Sequence, residues 1–310
     1  MNLAEQIGQL VGRGFSEERA ETIVVMREAA IIIFDAFPET LVLVGGANLV
    51  LFQDSVRHSA DLDFFPISGE LPDVVKLSEV LLTGLAPLAK LLNLHPMNLK
   101  TISSEGGLIK LMLSSNNGRA LFTVDITKIG SVLKSGIEEL LLEATALNRE
   151  ANIRFVSRDQ LLLNKAEAFL LRRVLKARDA YDAMDLLAKG ASLTGNLRNH
   201  LEDMLYGEFD ADRIRERIGQ VDAKRCRAEL KDNLPDEVYQ KLEKQDFQPL
   251  RAALTTLFRD WLGGHTWTGQ KSLHRNPEPE QSSKRTTTPR NTNCRFVPFT
   301  QHSRDKKNGV

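Results

Sequence analysis

Two aspartates in the segment Asp61-Leu62-Asp63 have a spacing that suits metal-dependent chemistry. Residues i and i+2 of a strand point to the same face, so the two carboxylates would stand side by side at the end of an apolar strand. At about 5 Å and an effective dielectric near 20, these charges repel by ~3 kcal/mol. A bound divalent cation is the usual compensation, and Mg²⁺ prefers one or two carboxylates plus substrate phosphates. The alternative is that both aspartates are solvated residues at a strand edge or turn.

A third carboxylate, Asp125, lies in the mostly apolar run of residues 121–126. If this strand neighbours the strand of Asp61 and Asp63, three carboxylates converge. Such a set makes a two-metal site feasible, in which the ions clamp the attacking and leaving oxygens of phosphoryl or nucleotidyl transfer. The alternative is a carboxylate at a strand end that takes no part in chemistry.

The Gly45-Gly46 pair follows an apolar strand and opens a helix. Glycines there let the backbone approach a phosphate, and the N-terminus of a helix offers free N–H groups and the positive end of its dipole. The pair precedes Asp61 by 15 residues, which permits a strand–helix–strand excursion that returns both elements to one edge. A plain turn is the alternative.

Charged residues interrupt the apolar helix predicted around residues 161–173. In one continuous helix, Lys165, Arg172, Lys176 and Asp179 would fall within about 60° on one stripe. A cationic stripe on a buried helix should face a cleft or paired acids, and the alternative is a structural row of ion pairs. Asp179 and Asp182 are three residues apart and share a face, which by itself is also typical of a solvated helix surface.

Short strands and helices alternate in the first half of the chain and must position these residues. Helical spacing predicts helices over 16–37, with Ser16 as N-cap, and over 73–93. Apolar runs predict strands over 41–44 and 60–65, with first helical turns over 47–52. Strand-like runs at 108–114 and 120–126 flank Asn117-Gly118, the strongest short hairpin signal. This order predicts an α+β fold with a small mixed sheet.

Helices dominate after residue 150, apart from a strand signal at 153–156. They are predicted over 158–189, 195–207, 210–219, 223–232 and 236–262. We therefore expect an α/β nucleotide-handling domain over 1–150 and a helical domain over 151–262 that completes the active site. Residues 263–310 contain seven hydrophobic residues in 48, too few to offset chain entropy, and are predicted to be a disordered basic tail.

Overall charge and composition exclude several classes of protein. The chain carries 41 basic and 41 acidic side chains, but residues 1–150 contain 12 basic against 19 acidic ones and residues 263–310 contain 9 against 3. A uniformly basic coat for nucleic acid is excluded, whereas a basic tail is not. No apolar run reaches the ~18 residues of a membrane helix, and no secretory signal is evident. Cys226 and Cys294 lack metal-ligand spacing and suit a reducing cytoplasm, where we expect the protein.

These motifs together resemble those of the AbiEii/AbiGii-type nucleotidyltransferase toxins, a branch of the DNA polymerase beta-like nucleotidyltransferase superfamily. Residues 44–49 are similar to the family's Gly-Gly phosphate motif, and residues 57–64 closely resemble its Arg-x-Ser-x-Asp-Leu-Asp signature. Lys165 matches the family's lysine motif, and residues 178–182 match its basic-Asp-x-x-Asp helix motif. The resemblance covers roughly residues 16–190 and extends less clearly to 262.

The resemblance implies transfer of a nucleoside monophosphate from a nucleoside triphosphate, with release of pyrophosphate, to an acceptor that in known relatives is the end of tRNA. It also implies a separately encoded antitoxin. Asp61 and Asp63 would hold Mg²⁺ and the triphosphate, with Asp125 as a third metal ligand. Asp182 would bind the sugar or activate the acceptor hydroxyl. The implied catalytic residues are Asp61, Asp63, Lys165 and Asp182, and the implied nucleotide-binding residues are Gly45, Gly46, Arg57, Ser59, Lys165 and Asp179.

Two other functions stay open from the sequence. One keeps the chemistry but transfers the nucleotide to a protein hydroxyl or a small molecule such as an aminoglycoside. The other is a non-catalytic protein that binds a nucleotide or an antitoxin, and the retention of Asp61, Asp63, Lys165 and Asp182 argues against it. Because the first domain is acidic, contact with tRNA would depend on basic helical residues. The candidates are Arg172, Arg173, Lys176, Arg213, Arg215 and Arg217.

Overall fold

The computed structural model describes residues 2–67, 69–128, 136–144, 149–205 and 210–263. These residues belong to one compact unit that ends at Gly263. The tail predicted over 263–310 lies outside the described residues from residue 264 onward. The strands are β1 Leu41–Val44, β2 Asp61–Pro66, β3 Asn98–Ser103, β4 Leu108–Ser114, β5 Ala120–Thr127, β6 Ile137–Glu143 and β7 Glu150–Val156. The helices are α1 Leu3–Gly12, α2 Glu17–Ala36, α3 Gly45–Phe52, α4 Val74–Leu91, α5 Arg158–Leu171, α6 Ala177–Ala188, α7 Gly195–Leu205, α8 Ala211–Gly219, α9 Ala223–Leu230, α10 Asp236–Lys244, α11 Gln248–Leu257 and α12 Arg259–Leu262.

The seven strands form one mixed sheet in the order β3-β4-β5-β2-β1-β7-β6. Strand β2 runs parallel to β5 and antiparallel to β1, and β1 runs parallel to β7. The remaining neighbours are antiparallel. The sheet and the helices that follow it confirm the predicted α+β fold. Strand β7 continues the sheet past residue 150, where the sequence predicts the first domain to end, and the two-domain division stays a prediction.

Strand β1 is buried on both faces, which explains its uninterrupted apolar sequence. Leu41 and Leu43 belong to a core formed mainly with α2 and α4, whereas Val42 and Val44 belong to a core formed with helices from α5 onward. The centre of the sheet is therefore covered on both sides. In the described residues, no helix is long and apolar enough to cross a membrane.

The predicted continuous helix over 158–189 is wrong, because the chain breaks between α5 and α6. Arginine side chains from α8 and α9 form hydrogen bonds with backbone carbonyls of the segment between α5 and α6. Arg217 donates to the Arg172 carbonyl, and Arg225 donates to the Leu175 carbonyl. The Glu229 carboxylate accepts from the N–H of Ala177 at the start of α6. These partners are remote in sequence, so local periodicity could not reveal the break, and the single stripe predicted on this helix does not form.

The predicted helix over 236–262 is also wrong in its continuity, since it consists of α10, α11 and α12. Phe247, with a left-handed φ of 54°, separates α10 from α11, and its ring is fully buried. Pro249 lies in the first turn of α11, where its missing N–H is tolerated. Because the Phe247 ring is buried, the hydrophobic pattern continues through this backbone turn and does not reveal it.

Strands β3 and β6 form without being predicted, and both lie at sheet edges. The sequence of β6, with three glutamates and three leucines among seven residues, favours a helix by propensity. Pairing along the whole of β7, from Glu143 opposite Glu150 to Ile137 opposite Val156, imposes the strand conformation instead. Tertiary pairing overrides local preference at this edge.

Candidate active site

Three carboxylates share one face of the sheet where β2 lies beside β5. In the parallel register, Asp63 is opposite Asp125 and Asp61 is opposite Thr123. Residues at paired and alternate positions point to the same face, so the condition for three acids to share one face, that their strands be neighbours, is met. The Thr123 hydroxyl donates a 2.8 Å hydrogen bond to Asp61 Oδ1, which orients that carboxylate.

The Asp63 carboxyl has a perturbed pKa. Burial, followed by repulsion from Asp61 and Asp125, raises its pKa to about 6. Lys165 and the backbone N–H of Gly46 act in the opposite direction, because both favour the charged carboxylate. The perturbation shows that these side chains form one electrostatic group.

The Gly45-Gly46 pair packs against this group more tightly than any larger residue would allow. Gly45 has a φ of +71°, and a Cβ there would lie 2.0 Å from Asp63 Oδ2. A Cβ on Gly46 would lie 2.3 Å from Ser59 Oγ and 2.8 Å from Arg57 Nη2. Helix α3 begins at these glycines, so its free N–H groups open beside the carboxylates. The geometry suits the predicted phosphate cradle.

Lys110 also belongs to the site, although it was not among the residues predicted from the sequence. Its Nζ lies 2.6 Å from Asp125 Oδ2, and the two residues are opposite each other in the antiparallel β4–β5 register. Asn117-Gly118 signalled the hairpin in the sequence, but the register that sets Lys110 opposite Asp125 includes a shift between Leu113 and Ser114 that the turn signal does not contain. A cation thus adjoins the third carboxylate.

The Arg57 side chain is buried and forms an ion pair with Asp182 of α6. Its Nε and Nη2 lie 2.5 and 3.1 Å from the two carboxylate oxygens of Asp182, and its Nη1 donates to the His58 carbonyl. Despite burial, Arg57 and Lys165 hold the pKa of Asp182 below its ordinary value. An acid stabilised in this way is a poor general base, so the geometry favours a positioning role for Asp182.

Lys165 connects the helical acids to the strand acids. Its Nζ lies 2.8 Å from Asp182 Oδ2 and 3.5 Å from Asp179 Oδ1, and it also favours the charged form of Asp63. Asp179 in turn accepts from Arg172 at 2.5 Å. Instead of one stripe along a helix, the structure forms a network between two packed helices. Of the predicted stripe, Lys176 makes no ion pair within the described residues.

An oxygen-rich site of this kind fits Mg²⁺. The described residues contain no cluster of three or more His, Cys, Asp or Glu side chains arranged to hold a metal ion. Mg²⁺ does not need one, since one or two carboxylates with substrate phosphates and water complete its octahedron. Asp61 and Asp63 supply that pair, and Asp125 has a buried Oδ1 without a hydrogen-bond partner. The site of the predicted metal is therefore chemically suitable, while its occupancy stays a prediction.

A basic cleft of about 410 Å³ lies at the C-terminal end of α5, against α8. It is lined by four of the six basic residues predicted to contact RNA, namely Arg172, Arg173, Arg213 and Arg217, together with Leu170, Leu171, Glu216 and Gln220. The contact between Arg172 and Asp179 connects this cleft to the network around Lys165. A fifth predicted residue, Arg215, instead pairs with Asp212.

Carboxylates on adjacent strands, a helix that begins at two glycines and a buried lysine suit the predicted binding of a metal ion and phosphates. The chain belongs to the AbiEii nucleotidyltransferase toxin family. The family model described as "Nucleotidyl transferase AbiEii toxin, Type IV TA system" matches residues 29–267. No curated protein sequence matches the chain.

Solved structures provide a further comparison. A crystal structure from Helicobacter pylori matches with 15% identity and a TM-score of 0.49, covering 80% of this chain and 98% of that one. The JHP933 structure from the same species matches with 15% identity and a TM-score of 0.48, covering 80% and 95%. MenT4, a nucleotidyltransferase toxin from Mycobacterium tuberculosis, matches with 15% identity and a TM-score of 0.43, covering 85% and 97%.

Proposed function

We propose that this nucleotidyltransferase is the toxin of a toxin–antitoxin system and transfers a nucleoside monophosphate from a nucleoside triphosphate to tRNA, using Mg²⁺. The observation that carries the proposal is the alignment of Asp63 with Asp125 beside the N-terminus of α3. This alignment supports the proposal, because negative charge for a cation would lie next to free N–H groups for phosphates. A separately encoded antitoxin is the expected partner, and the cytoplasm, which contains both substrates, is the expected location.

The contacts of the residues support the roles that we propose for them. Asp61 and Asp63 would hold the cation, which when bound neutralises charge on the triphosphate and on its leaving pyrophosphate. The backbone N–H groups at Gly45 and Gly46 would bind phosphate oxygens, with Ser59 Oγ close to Gly46. Lys165, held at the junction of the two acidic groups, would offer a fixed positive charge to the same phosphates.

Arg57, Asp179 and Asp182 would act mainly by positioning. Asp182 is fully buried between Arg57 and Lys165, so it fixes both cations relative to the glycine pair. Asp179 divides its contacts between Lys165 and Arg172 and thereby aligns the start of α6. With Asp182 held in its charged form by two cations, the acceptor hydroxyl would lose its proton to a strand carboxylate or to water.

The basic cleft supports a nucleic acid as the acceptor. Four arginines face one opening, and Arg173 makes no ion pair within the described part of the chain. Burial lowers the pKa of Arg217, and repulsion from the nearby Arg213 and Arg225 acts in the same direction. Phosphodiester groups are suitable counter-charges for such a cluster.

Incubation with each labelled nucleoside triphosphate, Mg²⁺ and total bacterial RNA tests the proposal directly, with RNA and protein resolved on one gel. We expect label in RNA of tRNA size, and none with the Asp61→Asn variant. Label confined to protein would replace tRNA by a protein hydroxyl as the acceptor. Label in neither polymer, together with triphosphate-dependent stabilisation, would contradict polymer transfer and favour a small-molecule acceptor or a binding protein.

A further inference from the structure

A row of charged side chains crosses three neighbouring strands at the candidate active site. Lys110 of β4 is opposite Asp125 of β5, and Asp125 is opposite Asp63 of β2. Paired residues share a face of the sheet, so one positive charge, at Lys110, is followed by two negative charges, at Asp125 and Asp63. The positive member adjoins Asp125, the third of the predicted metal ligands.

The contact between Lys110 and Asp125 is short and partly shielded from solvent. Nζ lies 2.6 Å from Oδ2, and the side chains are 33% and 19% exposed, respectively. One oxygen of Asp125 is thereby used, and the other, Oδ1, is buried without a hydrogen-bond partner. The contact therefore occupies one of the two oxygens through which Asp125 could bind a metal ion.

A two-metal site needs carboxylate oxygens around each ion, and Lys110 already occupies one oxygen of Asp125, the acid that lies beyond the Asp61–Asp63 pair. Asp61 and Asp63 stand together on β2, but a second ion on Asp125 would lie beside the ammonium group, which repels it. A lysine ammonium is a compact point charge and can compensate a carboxylate much as a cation does.

We propose that Lys110 takes the place of a second metal ion, so that the site binds one divalent cation, at Asp61 and Asp63. Lys110 is then a positioning residue: it neutralises Asp125 and fixes the carboxylate beside the cation. The inference rests on the proposed function in that it concerns the same site. It replaces the two-metal arrangement expected from three convergent carboxylates.

Counting bound Mn²⁺ tests this inference independently of nucleotide transfer. Mn²⁺ alone is titrated into the full chain after chelator treatment, and bound ions per chain are measured by electron paramagnetic resonance. The double variant Asp61→Asn/Asp63→Asn supplies the background of remote sites. We expect one ion above that background in the parent and in Lys110→Arg, and two in Lys110→Met. The matched control Lys100→Met, at an exposed position of β3 without an ion pair in the described residues, should bind one.

Thermal stability provides a second test of whether Lys110 compensates the charge of Asp125. Without metal, Lys110→Met should melt several degrees below the parent, because Asp125 loses its compensation, and Mn²⁺ should recover most of that loss. If Lys110→Met does not fold, the double variant Lys110→Met/Asp125→Asn removes both charges and should fold and bind one ion.

Two ions in the parent, or one in Lys110→Met, would overturn the inference, as would two in the double variant Lys110→Met/Asp125→Asn. Label transfer by a parent that binds two ions would contradict only this inference. One bound ion without label transfer would contradict only the proposed function.

Discussion

Replacing Asp63 by Asn separates a metal-binding aspartate from a structural one. The substitution removes a negative charge while keeping the shape and a hydrogen-bond acceptor for the N–H of Gly46. In the protein without metal, burial disfavours this charge and Asp61 and Asp125 repel it, so its removal should stabilise the fold. An aspartate whose charge supports the fold would respond in the opposite way.

The magnitude follows from the pKa of Asp63, which is raised from 3.8 to about 6. Each pKa unit corresponds to about 1.4 kcal/mol, so the ionised carboxylate destabilises the fold by up to about 3 kcal/mol. Asp63 is partly exposed, and solvent screening reduces this value. We expect the free energy of unfolding of Asp63→Asn to exceed that of the parent by roughly 1–2 kcal/mol at pH 8.

The pH dependence has a definite sign. Because the folded state binds the proton of Asp63 more tightly than the unfolded chain does, the parent loses stability as the pH rises from about 4 through about 6. The Asn variant lacks this loss. The difference between variant and parent should therefore be near zero at or below about pH 4 and reach its full size above about pH 7.

Urea unfolding of metal-free protein at pH 4 and pH 8, followed by circular dichroism, measures this difference. Asp73→Asn is the control: Asp73 caps α4 by accepting from the N–H of Lys76, and Asn caps a helix equally well, so stability should change little. A lower free energy of unfolding for Asp63→Asn at pH 8, or an equal gain at both pH values, would refute the electrostatic reasoning. The variant should also lose label transfer by several orders of magnitude.

Three further predictions concern other parts of the structure. Gly118→Ala should cost about 1 kcal/mol of stability in urea unfolding from backbone strain alone, whereas Gly45→Ala should cost several times more because its Cβ also collides with Asp63; equal costs would contradict the tight cradle. Arg57→Met should lower the free energy of unfolding by about 3–5 kcal/mol, since Asp182 is fully buried, and adding Asp182→Asn should recover part of the loss; no recovery would mean that packing, rather than charge, dominates. Cys226 is buried with its pKa raised to about 11, so iodoacetamide at pH 8 should modify it only after unfolding, as peptide mass spectrometry would measure; rapid modification of folded protein would contradict this burial.

The sequence by itself determined the local parts of the site. The two-residue period of a strand put Asp61 and Asp63 on one face, and two glycines after an apolar strand marked the start of a helix. Asn117-Gly118 predicted the turn that joins β4 and β5 into a hairpin. These features depend on neighbours within a few residues, where backbone geometry leaves few choices.

Only the tertiary structure decided how these parts meet. The parallel pairing of β2 with β5 brings Asp63 opposite Asp125 across 62 residues of chain, and no periodic pattern encodes which strands become neighbours. Arg57 resembled a phosphate ligand in its motif, yet it lies against Asp182, 125 residues away. Contacts between distant segments depend on the packing of the whole fold, because each is selected by the burial and charge compensation available there.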